Sequence, residues 1–154
     1  MKLKGYLLIL LLIFSQFPIK TSAHHIDVSA KSAILIEQDS GRILYEKDAY
    51  TKRKIASITK IMTAIIAIES GKLKEKVKIK KNHTNIEGSS IYLEKGETIT
   101  IEDLVYGLML RSGNDAAMAL AIHIGGSVSV FCQLMNETAK KIGARNSNFV
   151  NPHA

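Results

Sequence analysis

Cysteine occurs once in this 154-residue chain, at Cys132, so an internal disulfide framework is excluded. Acidic residues are scarce beside basic ones, 14 against 21, which leaves a formal charge of +7. The five histidines, His24, His25, His83, His123 and His153, have no metal-ligand spacing with carboxylates or with Cys132, so no metal site is expected. No apolar run reaches the roughly 20 residues that span a bilayer. Internal repeats and low-complexity stretches are absent as well, which excludes solenoid and array architectures.

What is present begins with an address. Lys2 and Lys4 precede an apolar run from Tyr6 to Phe14, and Thr21-Ser22-Ala23 offers small residues for cleavage. Residues 1–23 therefore read as a secretory signal peptide, and the protein is expected to be exported. Three lysines leave with that segment, so the formal charge falls to +4. The remaining 24–154 suffice for one domain with a real core. Much of the residual charge lies between Lys72 and Lys81, where no aromatics are interleaved. That pattern reads as a solvated basic edge facing an anionic wall or membrane surface, and no nucleic-acid partner is expected.

The order of elements follows from pattern. Ser32 to Gln38 and Arg42 to Lys47 flank Asp39-Ser40-Gly41, which predicts a hairpin. Ser57 to Glu69 predicts a helix, apolar almost all round through Ile58, Ile61, Met62, Ile65, Ile66 and Ile68, and therefore buried. Gly71 suits its end. Val77 to Lys81 predicts a short strand, and 82–96 a loop. Thr100-Ile101-Glu102-Asp103 opens a second apolar helix running to Arg111, expected to be central and buried. A third helix runs from near Asp115 to Gly125-Gly126. The fourth, Ser127 to Ile142, carries the stripe Val128, Phe131, Cys132, Met135, Ala139, Ile142, which makes Cys132 a small buried hydrophobe.

Two polar clusters stand at the ends of these apolar helices. Ser57-Ile58-Thr59-Lys60 opens the first, and Ser112-Gly113-Asn114 follows the second. Positions i and i+3 share a helix face, so Ser57 and Lys60 are neighbours. Burial among isoleucines disfavours the ammonium and lowers the lysine pKa. An amine held partly neutral beside a hydroxyl can activate it as a nucleophile. Alone, a Ser-x-x-Lys tetrad arises about once by chance in a chain of this size. Paired with Ser112 and Asn114, which two neighbouring helices could bring into the same cleft, it predicts a nucleophilic site.

These segments resemble the serine D-alanyl-D-alanine carboxypeptidases, the low-molecular-mass penicillin-binding proteins. The likeness runs through 56–64 around Ser57 and Lys60, through Gly88-Ser89-Ser90-Ile91 with Leu93 and Gly96, and through 108–117 around Ser112-Gly113-Asn114. Met135-Asn136, Ala139, Gly143 and Phe149-Val150-Asn151-Pro152-His153 continue it. The resemblance implies an α/β (α+β) fold of the penicillin-binding and serine β-lactamase type, with helices packed on an antiparallel sheet to which the hairpin contributes two strands. It implies catalytic Ser57, Lys60 and Ser112, and substrate-binding Asn114. It implies removal of the terminal D-alanine from peptidoglycan stem peptides, trapping of β-lactam antibiotics, and no cofactor.

The family's third motif, Lys-Thr-Gly, does not occur in the sequence. Residues 24–154 are accordingly expected to form a partial catalytic domain, with the sheet incomplete at its C-terminal side. A truncated inactive remnant and a non-enzymatic wall-binding protein of the same fold stand as the alternatives to an active carboxypeptidase.

Overall fold

A computed structural model describes residues 27–154, in two compact units divided after Thr51. The expected signal segment and the His24–His25 pair lie outside the described residues.

In the first unit, β1 (Ala33–Ile36) and β2 (Ile43–Lys47) pair antiparallel, with Leu35 opposite Tyr45, as the hairpin pattern predicts. Glu37 builds the turn: its carboxylate accepts the N–H of Asp39 at 3.0 Å and of Ser40 at 2.7 Å. Gly41 supplies the positive φ, +69°, that closes it. Ile34, Leu35, Ile36, Ile43 and Leu44 are exposed, so apolar residues stand on both faces of the ribbon.

The second unit is built from four helices and a small ribbon. α1 (Thr59–Glu69) is followed by β3 (Lys76–Lys78), then β4 (Thr98–Thr100), α2 (Ile101–Arg111), α3 (Asn114–Gly125) and α4 (Val128–Lys141). β3 and β4 pair antiparallel with Val77 opposite Ile99. Val77 and Ile79 face the core while the lysines between them face water, which gives the basic edge its alternation. Thr100 caps α2 by accepting the Asp103 N–H at 3.0 Å, and Ser127 caps α4 through the Val130 N–H at 3.2 Å.

The centre of this unit is α3, not α2, the helix expected there. Asn114 to Ala117 and Ala119 to Ala121 are all buried, and the run of alanines lets neighbouring helices approach closely. On one side Ala64, Ala67, Leu104, Leu108 and Leu120 form a core with Val77 and Ile79. On the other, Met62, Ile66, Ala121, Phe131, Cys132 and Met135 form a second. α1 reaches both cores with one face only. Ile58, Ile61, Ile65 and Ile68 are exposed, and so are Met109 and Leu110 of α2, which corrects the expectation that both helices are buried. An apolar residue says what a face can bury against, not whether a partner is present.

Leu104 is fully buried and Ile68 is half exposed. Leu104→Ala is expected to cost about 2–5 kcal/mol, including the cavity it leaves. Ile68→Ala is expected to shift stability by less than about 0.5 kcal/mol. Urea denaturation of both variants checks the contrast.

Candidate active site

Ser57 does not sit on the α-helix itself. It occupies a 3-10 turn, Ala56–Ile58, that leads directly into α1. Ala56 holds a left-handed φ of +46°, a strained conformation for alanine. This entry sets Ser57 at the surface with its hydroxyl one turn before Lys60, which is 3% exposed. The i, i+3 spacing survives the change of helix type, because a 3-10 turn also brings such positions together.

Lys60 Nζ lies 3.1 Å from Ser57 Oγ and 3.1 Å from Ser112 Oγ. Ser112 Oγ donates to Ser57 Oγ at 3.2 Å, which closes a triangle of two hydroxyls and an amine. Among the described residues no carboxylate pairs with Lys60, and burial alone holds its pKa below the ordinary lysine value. Ser112 reaches this position by ending α2 in the left-handed conformation, φ +56°. Three of the four expected residues therefore meet.

Asn114, the fourth, stands two residues beyond Ser112 and is not bonded to the triangle. Its Nδ2 donates to the Glu87 carbonyl at 2.6 Å, and its backbone N–H to the Ser89 carbonyl at 2.7 Å. Its Oδ1 is buried and, among the described residues, has no partner. Gly88 is packed tightly here: a Cβ on it would come within 2.6 Å of Asn114 Nδ2.

Sequence reasoning missed Asp115, which organises this wall. Its carboxylate is buried and accepts Ser90 Oγ at 2.6 Å, Ile91 N at 3.0 Å, Leu93 N at 3.0 Å and Ala116 N at 2.9 Å. Burial pushes its pKa up, but the Ser90 hydroxyl and the three N–H groups outweigh that and hold it below the ordinary value. Asp115 thus straps the 87–93 loop to the start of α3, beside Asn114. Only the adjacency of Asp115 to Asn114 was legible beforehand; that Ser90, 25 residues away, returns to it is a tertiary fact.

The other side of the site is closed by the 149–153 segment. Asn136 clamps it, donating to the Phe149 carbonyl at 2.9 Å and accepting the Phe149 N–H at 2.7 Å. Thr63, one turn beyond Lys60, donates to the buried Pro152 carbonyl at 2.7 Å. Beside the nucleophile turn opens a cavity of about 890 Å³, with Ile55, Ala56 and Thr59 on one wall and Asn148, Phe149 and Asn151 on another. That volume suits a peptide or drug-sized ligand.

Comparison with known proteins finds a match over residues 19–154 to the family model described as D-alanyl-D-alanine carboxypeptidase. The D-alanyl-D-alanine carboxypeptidase DacF of Bacillus subtilis (strain 168) is 42% identical over 128 residues, covering 80% of this chain and 33% of DacF. The crystal structure of the D-alanyl-D-alanine carboxypeptidase DacD from Francisella tularensis superposes with a TM-score of 0.82 at 37% identity, over 92% of this chain and 36% of that one. Penicillin binding protein 5 from Haemophilus influenzae gives a TM-score of 0.79 at 31% identity, over 86% of this chain and 41% of that one. The chain thus spans about a third of the length of the first two relatives. The likeness bears out the expected α+β fold of the penicillin-binding type.

Asp115→Ala strands three backbone N–H groups and the Ser90 hydroxyl, and each unsatisfied buried group costs about 1–3 kcal/mol. Because the folded pKa of Asp115 is depressed, its contribution is present above the unfolded value near 3.9 and is lost as pH falls through the folded one. Urea melts between pH 7 and pH 2.5 should show that loss in the wild type. Asp115→Asn should lack that part of the slope.

Proposed function

The chain belongs to the D-alanyl-D-alanine carboxypeptidase family, and from that premise we propose that it removes the terminal D-alanine of peptidoglycan stem peptides through an acyl-enzyme on Ser57. The observation that carries this reading is the triangle of Lys60 Nζ, Ser57 Oγ and Ser112 Oγ, with no carboxylate among the described residues to fix the proton on the amine.

In the proposed reaction Lys60 Nζ accepts the Ser57 proton as Oγ attacks the carbonyl carbon of the penultimate D-alanine. The peptide C–N bond then breaks, and the leaving amine takes a proton by way of Ser112, whose Oγ lies 3.1 Å from the Lys60 amine. The Ser57 N–H, at the entry to α1, is one donor to the oxyanion, where the helix start favours negative charge. Asn114, two residues beyond Ser112, is the residue that the family resemblance gives the task of holding the substrate amide. Water finally hydrolyses the ester, releasing the shortened peptide. A penicillin enters by the same first step and remains on Ser57 for as long as the ester resists water. The expected signal segment places this chemistry outside the cytoplasmic membrane.

A fluorescent penicillin should label the wild-type chain covalently and should fail to label Ser57→Ala. Lys60→Ala is expected to slow labelling by about 10²–10⁴-fold, the usual worth of a positioned base. The neutral amine is the working form, so the labelling rate should rise with pH through the lowered Lys60 pKa and level off above it. Gel fluorescence against time across a pH series reads all three. A folded wild-type chain that takes no label would overturn the reading.

A further inference from the structure

Ser112 joins the triangle in a strained pose. It ends α2 with φ +56° and ψ +35°, a left-handed conformation that a residue with a side chain rarely adopts. The Gly107 carbonyl accepts the Ser112 N–H and, at 3.3 Å, the Gly113 N–H. The turn is therefore framed by two glycines, Gly107 within α2 and Gly113 just past Ser112.

One side chain lies across both. A Cβ on Gly107 would come within 2.7 Å of Ile91 Cδ1 and 3.2 Å of Ile91 Cγ2. A Cβ on Gly113 would come within 3.1 Å of the same Cγ2. Ile91 thus fills the space that side chains at 107 and 113 would need, and it packs half-buried on the core that contains Leu104 and Leu108. Its backbone is held as firmly. The Ile91 N–H donates to Asp115 Oδ1 and the Leu93 N–H to Asp115 Oδ2, both at 3.0 Å. Between them the Tyr92 N–H donates to Ser90 Oγ at 2.9 Å. Tyr92 takes a left-handed φ of +61°, a strain that these bonds on either side sustain.

The chain of contact is continuous. Asp115 straps the loop, the loop carries Ile91, and Ile91 closes on the glycines that flank the Ser112 turn. Packing this tight transmits displacement from one side chain to the next. Relaxed out of the left-handed region, the Ser112 backbone would carry its Oγ away from Lys60 Nζ, now 3.1 Å off, and from Ser57 Oγ, now 3.2 Å off.

We propose that Ile91 is a positioning residue for Ser112: its side chain, wedged across Gly107 and Gly113, holds the left-handed turn that aims the Ser112 hydroxyl at Lys60 and Ser57. The role rests on the reading of Ser57 as the acylated nucleophile. Ile91 acts through the turn and not on the reacting atoms.

The test times labelling by a fluorescent penicillin, with circular dichroism at the same temperature to confirm that each variant is folded. Ile91→Ala is expected to slow labelling at least about tenfold, since a misplacement of about 1 Å can cost 10²-fold. In a Ser112→Ala background the same substitution should change the rate by less than about twofold, because the hydroxyl it positions is gone. An equal loss in both backgrounds marks a general structural role and overturns the proposal. So does Ile91→Ala labelling at the wild-type rate.

If Ile91→Ala does not fold, a complementary pair decides. Gly107→Ala adds the methyl that meets Ile91, while alanine is the better helix former, and it should slow labelling about tenfold. Adding Ile91→Val removes Cδ1 and should bring the rate back to within about threefold of wild type. A Gly107→Ala chain that labels at the wild-type rate, or a loss that Ile91→Val leaves unrelieved, overturns the role. A wild type that never labels overturns the Ser57 reading and this role with it.

Discussion

A buried amine bonded, among the described residues, to two hydroxyls and to no carboxylate is the constraint around which the second unit is arranged. Lys60 gains nothing from a carboxylate, and taking an ammonium out of water is costly. The protein answers that cost by weakening the ammonium rather than neutralising it with a counter-charge. An acid at this place would favour the ammonium and hold the proton on Lys60. The two cores that flank α1 and α3 keep the amine out of water, and the ends of α1 and α2 bring the hydroxyls to it.

Charge is handled in the opposite way a few residues off. Asp115 is just as buried, but four donors surround it and keep it ionised. Its task is mechanical, since those donors belong to the loop that runs beside Asn114. The two buried ionisable groups thus divide the labour. One is left under-solvated, which favours its neutral form, and the other is over-satisfied, which holds a loop in place. Gly88 completes the arrangement, because its missing side chain is what lets the loop close on the Asn114 amide.

Much of this was legible in the chain because it is local. The hairpin around Asp39-Ser40-Gly41, the caps at Thr100 and Ser127, and the pairing of Ser57 with Lys60 depend on residues a few positions apart. The meeting of Lys60 with Ser112, 52 positions on, could be anticipated because both stood at the ends of apolar helices. The centrality of α3 could not, since a run of alanines has a weaker pattern than a run of isoleucines. The exposure of Ile58, Ile61, Ile65 and Ile68 was also out of reach, because hydrophobicity does not say where a covering surface lies. Asp115 was not singled out for the site because Ser90, Ile91 and Leu93 reach it only in the folded chain.

The bond between Thr63 and Pro152 joins positions 89 residues apart. Contacts of that separation come at the end of assembly, after the helices between them have found one another. The wall of residues 149–153 is therefore fastened last, by a bond whose one partner stands a single turn of α1 from the Lys60 amine.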